Sequence, residues 1–187
     1  PDMVKRKSWK CSDFCRVSNF WLHTKSALFE HTRQRLMYEW EPHPWVHLIH
    51  HEKQLALYRV FKRGGWHISK IVGGGSYLDR LYAPAWPKDV ITHSFAPGPF
   101  YELTNTYLNV IGDYVFTIAI EPKHNRELEE LYASMSSAKQ IKVEKITDLL
   151  YRKAKFSVKL EENSKRAEQL RRQFVEYFGP APRPSAP

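Results

Sequence analysis

The chain has 187 residues, 42% of them hydrophobic and 14% aromatic, with two cysteines and a formal net charge of +9. This length suits one domain with extensions and is short for two well-built domains, and the aromatic content excludes a disordered chain. Charged residues interrupt every hydrophobic run before the roughly 20 apolar residues that a membrane-spanning helix requires. Two cysteines cannot frame a disulfide-stapled fold, so a reducing compartment is expected.

The charge is uneven. Residues 1–40 carry a net +4, residues 41–124 a net +1 and residues 125–187 a net +4. A nearly neutral middle with basic ends predicts a compact body whose extensions meet a polyanion or an acidic surface.

The opening PDMVKRKSWKCSDFC lacks periodicity and reads as an extended basic arm over residues 1–21. From Leu22 to Trp40 the apolar positions Leu22, Ala27, Leu28, Leu36, Met37 and Trp40 recur at roughly helical spacing, which predicts a helix stopped by Pro42 and Pro44. WVHLI, from Trp45, has the look of a strand. Leu55–Phe61 and Trp66–Val72, joined by Lys62-Arg63-Gly64-Gly65, predict a β-hairpin, since the glycines can take the positive φ of a tight turn. The proline-rich stretch YAPAWPKDVITHSFAPGPF then reads as a stiff connector. A second hairpin is expected at FYELTNTYLNVI and YVFTIAIEP, turning at Gly112-Asp113.

After His124 the period returns to helical. Asn125 is placed to cap RELEELYASMSSAKQ, with further helices at VEKITDLLYRKAK and EENSKRAEQLRRQFVEYF, the last closed by Gly179. The fold class is therefore α+β: an N-terminal helix, a four- to five-stranded antiparallel sheet built from two hairpins, C-terminal helices, an extended basic arm and a Pro-rich tail. The single domain spans residues 22–178 and the tail residues 179–187.

Two histidine and cysteine groupings raise the question of a metal. His43 and His47 have helical i,i+4 spacing, but Pro42 and Pro44 exclude a regular helix at His43. In a strand from Trp45, His47 and His51 lie on the face opposite His50, and split faces do not chelate. Cys11 and Cys15, followed by His23 and His31, miss the spacings of structural zinc and read better as two thiols one helical turn apart. VGGGSY has neither a following Lys-Ser or Lys-Thr nor the spacing of a dinucleotide loop. No nucleophile elbow, zinc-protease or kinase signature occurs. No catalytic residue, metal or cofactor is assigned, and an enzyme is not expected.

Basic segments carry the stronger signal. Between Lys139 and Arg172 eleven basic residues face five acidic ones. The last predicted helix puts Ala167, Leu170, Phe174 and Phe178 on an apolar stripe and turns basic residues elsewhere. Lys5, Arg6, Lys7, Trp9 and Lys10 in the arm combine cations with an aromatic ring, a combination suited to backbone contact and base stacking. With Arg152, Lys153, Lys155, Lys165, Arg166, Arg171 and Arg172 they form the expected nucleic-acid-binding set. Replacing Arg166, Arg171 and Arg172 by Gln is expected to weaken RNA association and leave the fold intact.

These features predict a non-catalytic structural subunit of a large assembly, a mitochondrial ribosomal protein contacting rRNA through its basic extensions. The mitochondrial expectation rests on the charge and on a first residue, Pro1, that leaves room for a removed targeting segment. The competing expectation is an accessory subunit of a mitochondrial inner-membrane respiratory or ATP synthase complex, with the same segments on acidic protein or anionic lipid heads. A third is a small α+β enzyme or ligand-binding domain with a pocket and no need of partners.

Overall fold

A computed structural model describes residues 5–96 and 98–180 of the protein. Seven strands, β1 (Lys5–Asp13), β2 (Leu36–Glu41), β3 (His67–Val72), β4 (Ile91–Phe95), β5 (Thr106–Ile111), β6 (Tyr114–Ile120) and β7 (Lys153–Glu162), form one sheet in the order β1-β7-β6-β5-β2-β3-β4. The helices are α1 (Phe14–His31), α2 (Val46–Arg63), the single turn α3 (Tyr77–Arg80), α4 (Pro122–Ser134), α5 (Val143–Tyr151) and α6 (Ser164–Phe178). Strands β2, β3 and β4 run parallel to one another, while every other pairing is antiparallel. The protein is thus α+β with a mixed sheet, wider than the expected antiparallel one of four or five strands.

Alternation along the strands divides the side chains between two faces. One face carries Met37, Ile68, Tyr107, Phe116, Ile118, Phe156 and Val158, covered by residues of α1, α2, α4 and α5 such as Phe14, Trp21, Leu57, Phe61, Leu128 and Leu149. The other carries Tyr38, Trp40, Ile71, Leu108, Val110 and Val115, covered by Ala167 and Phe174 of α6 and by Phe100. Helices therefore pack on both faces, but on the second face α6 reaches only part of the sheet.

The first helix begins earlier than its hydrophobic pattern suggested, because the Asp13 carboxylate accepts from the Arg16 amide and caps it there. It ends at His31, so the expected helix from Leu22 to Trp40 is two elements. LMYEWE is the central strand β2, buried from Met37 to Glu41. Glu39 and Glu41 interrupt what would otherwise be a continuous apolar run, which is the signature of a strand covered on both faces. The segment expected as a free basic arm enters the sheet as β1, and Cys11 lies on that strand while Cys15 lies on α1, so the two thiols do not share a helix.

The first expected hairpin does not form. WVHLI and QLALYRVF belong to α2, in which Gln54, Leu57, Tyr58 and Phe61 are buried at helical spacing. Gly64 and Gly65 end that helix, and β3 then runs parallel to β2, with α2 as the crossover a parallel pair requires. The proline-rich connector contains β4. The second hairpin forms as expected, with Gly112 at φ 56° in its turn. Helix α4 begins at Pro122, and Asn125 lies buried within it instead of capping it. The helix expected over 143–155 stops at Tyr151, and β7 follows. Helix α6 is capped by Asn163, whose side chain accepts from the Arg166 amide, and closes on Gly179 at φ 80°. Most of the Pro-rich tail, residues 181–187, lies outside the described residues. Among the described residues no helix is long and apolar enough to cross a membrane.

Candidate functional site

Strand β7 alternates strictly over its first six residues: Ala154, Phe156 and Val158 are buried, and Lys153, Lys155 and Ser157 are exposed. Its register with β1 and β6 extends the exposed side into a surface. Lys10, Ser157 and Ala119 form one cross-strand row, Ser8, Lys159 and Thr117 the next, and Arg6, Glu161 and Val115 a third. Helix α6 closes over Val115, while Arg6, Ser8, Lys10, Lys155 and Ser157 stay exposed. The result is a basic face that no other described residue covers, on which β1 and β7, far apart in sequence, meet. Between Lys10 and Lys155 it holds a shallow depression of about 300 Å³, with Ala119 and Ser157 among its lining.

The acidic groups of this face are neutralised. Glu161 is buried and pairs with Arg6 at 3.2 Å and with Arg166 from α6. Glu121, at one margin, lies 2.7 Å from His124 and 3.8 Å from Lys155. Lys10, Lys153 and Lys159 have no carboxylate partner among the described residues, and with Lys155, shared with Glu121, they leave this face positive.

The structure thus gathers Arg6, Lys10, Lys153 and Lys155 of the sequence-expected set, with Arg166 at the margin, and adds Lys159, which sequence reasoning passed over. The others lie elsewhere. Lys5 and Lys7 share with Trp9 the opposite side of β1, where Trp9 packs on Phe20 with ring centroids 4.9 Å apart. Trp9 is therefore a half-buried packing residue, not a stacking platform. Arg152 pairs with Glu127 at 2.7 Å beside the cleft between α4 and α5. Lys165 is exposed in the first turn of α6. Arg171 donates to the Gly112 carbonyl and to Glu168, and Arg172 pairs with Glu168 at 3.3 Å, so both arginines are engaged within the fold. The missed signal was KAKFSVKL, whose period of two identifies a half-buried strand with lysines on its open side.

A second polar constellation lies under α1 and α2, where three charged side chains of the central strands point into the core. Lys25 from α1 and Lys70 from β3 both donate to Glu39, at 2.5 and 3.2 Å, and Lys70 lies 2.7 Å from Glu41. All four side chains are buried, and Lys25 and Lys70 also sit over the rings of Trp21 and Trp86. Burial opposes charge on Glu39, but the two ammonium groups outweigh it and hold the carboxyl at about 2. Burial likewise opposes charge on Lys70, and Glu39 and Glu41 overcome it, raising the lysine well above its ordinary range. For Glu41, burial and the Glu39 charge prevail over Lys70, and its pKa is raised. Two carboxyl groups and two ammonium groups thus share a low-dielectric interior.

At the C-terminal ends of β2 and β3, His43 lies between two carboxylates, with Nδ1 2.7 Å from Asp79 Oδ1 and Nε2 2.9 Å from Glu129 Oε2. The ring stacks on Tyr132 with centroids 4.1 Å apart. Burial works against a charge here, but the hydrogen bonds and charges of Asp79 and Glu129 raise His43 to about 9, so it is an imidazolium at neutral pH. Asp79 is held in turn by the Ser76 amide and hydroxyl, at 2.8 and 2.7 Å. With both ring nitrogens donating to carboxylates and the Ser76 hydroxyl donating to Asp79, the group is built as an ionic clamp that ties the end of β2 to α3 and α4.

His47 and His51, expected together on one face of a strand, do lie side by side with their Nδ1 atoms 3.2 Å from each other, but on a helix, one turn apart on α2. The Trp86 indole donates to His47 Nε2 at 3.2 Å, which fixes that nitrogen as an acceptor, and burial keeps His47 neutral with a pKa well below the ordinary value. Among the described residues no three His, Cys, Asp or Glu side chains are placed to share a metal ion.

No protein-family profile and no curated protein matches the sequence. Among solved structures the chain is similar to NucT from Helicobacter pylori, with a TM-score of 0.48 and 9% identity over 92% of this chain and 95% of that one. It is also similar to TrmBL2, an archaeal chromatin protein described as showing a novel mode of DNA binding, with a TM-score of 0.43 and 11% identity over 95% of this chain and 54% of that one.

Proposed function

We propose that the protein is a non-catalytic subunit of an RNA-containing assembly, in particular a mitochondrial ribosomal protein, and that it meets rRNA phosphates through the open face of β1, β7 and β6. The observation that carries this reading is the convergence of Lys10 with Lys153, Lys155 and Lys159 on one uncovered sheet surface whose carboxylates are already paired. Lysines held on a rigid sheet neutralise phosphates and release their counterions, which yields sequence-independent, salt-sensitive binding.

The test is native purification from cell extract with and without ribonuclease, followed by mass spectrometry of co-migrating proteins. Co-migration with ribosomal proteins that is abolished by ribonuclease is the expected result. Co-migration with respiratory or ATP synthase subunits that ignores ribonuclease would replace the proposal with the accessory-subunit reading, in which the same lysines face acidic protein or lipid.

A further inference from the structure

We infer that the ligand of the basic sheet face is double-stranded RNA, gripped by its phosphates and 2′-hydroxyls, and not a single strand read by its bases. The inference rests on the RNA-binding reading above and names the form of RNA that this surface fits.

The reason lies in which side chains the alternation turns outward. On β1 they are Arg6, Ser8 and Lys10, on β7 Lys153, Lys155, Ser157 and Lys159, and on β6 Thr117 and Ala119. Cations and hydroxyls are interspersed on this side, with no aromatic ring among these residues. The rings of the same three strands, Trp9, Tyr114, Phe116 and Phe156, all point to the opposite face and pack there. Sheets that hold single-stranded RNA do so by stacking splayed bases on outward aromatic side chains, each worth about 1–3 kcal/mol. This surface has nothing for a base to stack on.

What it offers suits a duplex. An A-form helix presents phosphates and 2′-hydroxyls along a wide, shallow minor groove. Lysines two residues apart on a strand stand about 6.8 Å from one another, set by the rise per residue, and neighbouring strands add a second row about 4.8 Å away. Ser8, Ser157 and Thr117 lie between these rows as donors and acceptors for 2′-hydroxyls. Ala119 and Ser157, both short, line the depression between Lys10 and Lys155, together with Cys11, Ile120, Glu121 and Phe156.

The experiment compares the full chain on a blunt RNA duplex of about 16 base pairs, the length that reaches two minor grooves, with one of its strands alone. The readout is fluorescence anisotropy across a salt series, for the wild type and for Lys155→Gln/Lys159→Gln. Both lysines stand on the outer side of β7, so the double variant keeps the fold, which urea unfolding verifies. Duplex binding at least about tenfold tighter than single-strand binding is expected, because stacking is missing. The double variant should flatten the log–log salt slope for the duplex by about 2, one per lost phosphate contact. Equal or tighter binding of the single strand would overturn the duplex inference and leave the RNA-binding reading standing. Failure to bind either form at low salt would overturn that reading itself. An unchanged slope in the double variant would move the contact away from this face.

Discussion

Lys25 on α1 and Glu39 on the central strand β2 meet with 2.5 Å between Nζ and Oε1, both side chains essentially out of water. A buried carboxylate shared by two ammonium groups is secure only while both remain. Replacing Lys25 with Met leaves Glu39 with Lys70 alone and should destabilise the fold by about 3–5 kcal/mol, the typical cost of breaking a buried pair by removing one partner. Urea unfolding of the variant against wild type measures this, and a loss below about 1 kcal/mol would mean that the cluster is hydrated rather than dry.

The same pairing sets an acid limit. Glu39 is depressed to about 2 in the folded state, against about 4.3 when unfolded. A depressed carboxyl contributes stability that is complete above the unfolded value and is lost as pH falls through the folded one. Stability should therefore decline between about pH 4.3 and pH 2. Glu39→Gln should weaken the protein at neutral pH and show a shallower acid decline, which a pH series of thermal midpoints would reveal.

His43 sets the alkaline limit, with the opposite sign. Its folded pKa of about 9 exceeds the unfolded value of about 6.5. The clamp to Asp79 and Glu129 contributes fully below about pH 6.5 and is lost as pH rises through the folded value, for a total of about 3 kcal/mol at 1.36 kcal/mol per unit. His43→Gln should be less stable than wild type at pH 6 and nearly equal to it at pH 10. A constant difference across that window would show that the imidazolium is not what holds the clamp.

The features legible in the sequence were those with local chemistry. The β5–β6 hairpin announced itself through Gly112-Asp113 between β-branched runs, and α6 through its apolar stripe and Gly179. What failed was the centre of the sheet. Glu39 and Glu41 are charges in core positions, and they disguised β2 as part of an amphipathic helix because their partners Lys25 and Lys70 arrive from separate elements. Helix α2 was mistaken for strands because Leu57, Tyr58 and Phe61 form a short apolar run of the kind that periodicity alone does not assign. For the candidate interface, Lys10 and Lys155 could each be picked out as basic, but their meeting depends on the pairing of β1 with β7, which no local pattern encodes.

Gly74 links the glycine-rich loop to the His43 clamp. A Cβ on Gly74 would collide with the Asp79 carboxylate, and one on the adjacent Gly73 would lie 2.5 Å from Trp40 Cη2. Gly74→Ala should displace Asp79 from His43 Nδ1 and lower stability by about 1–3 kcal/mol, the range for a buried group losing its partner. The loss should shrink at high pH, where the clamp is already open. An equal loss at pH 6 and pH 10 would assign the effect to backbone crowding instead.

Arg171 separates a structural arginine from an RNA-binding one. It donates to the Gly112 carbonyl in the β5–β6 turn and holds Glu168 on its own helix, with only 16% of its side chain exposed. Arg171→Gln should lower stability by about 1–3 kcal/mol, since the group is charged and its acceptors are left without a donor, and should leave the salt slope of RNA binding unchanged. The triple replacement of Arg166, Arg171 and Arg172 by Gln is accordingly expected to destabilise the fold, against the reading from sequence that the fold would stay intact. A variant with wild-type stability and a slope reduced by about 1 would return Arg171 to the interface.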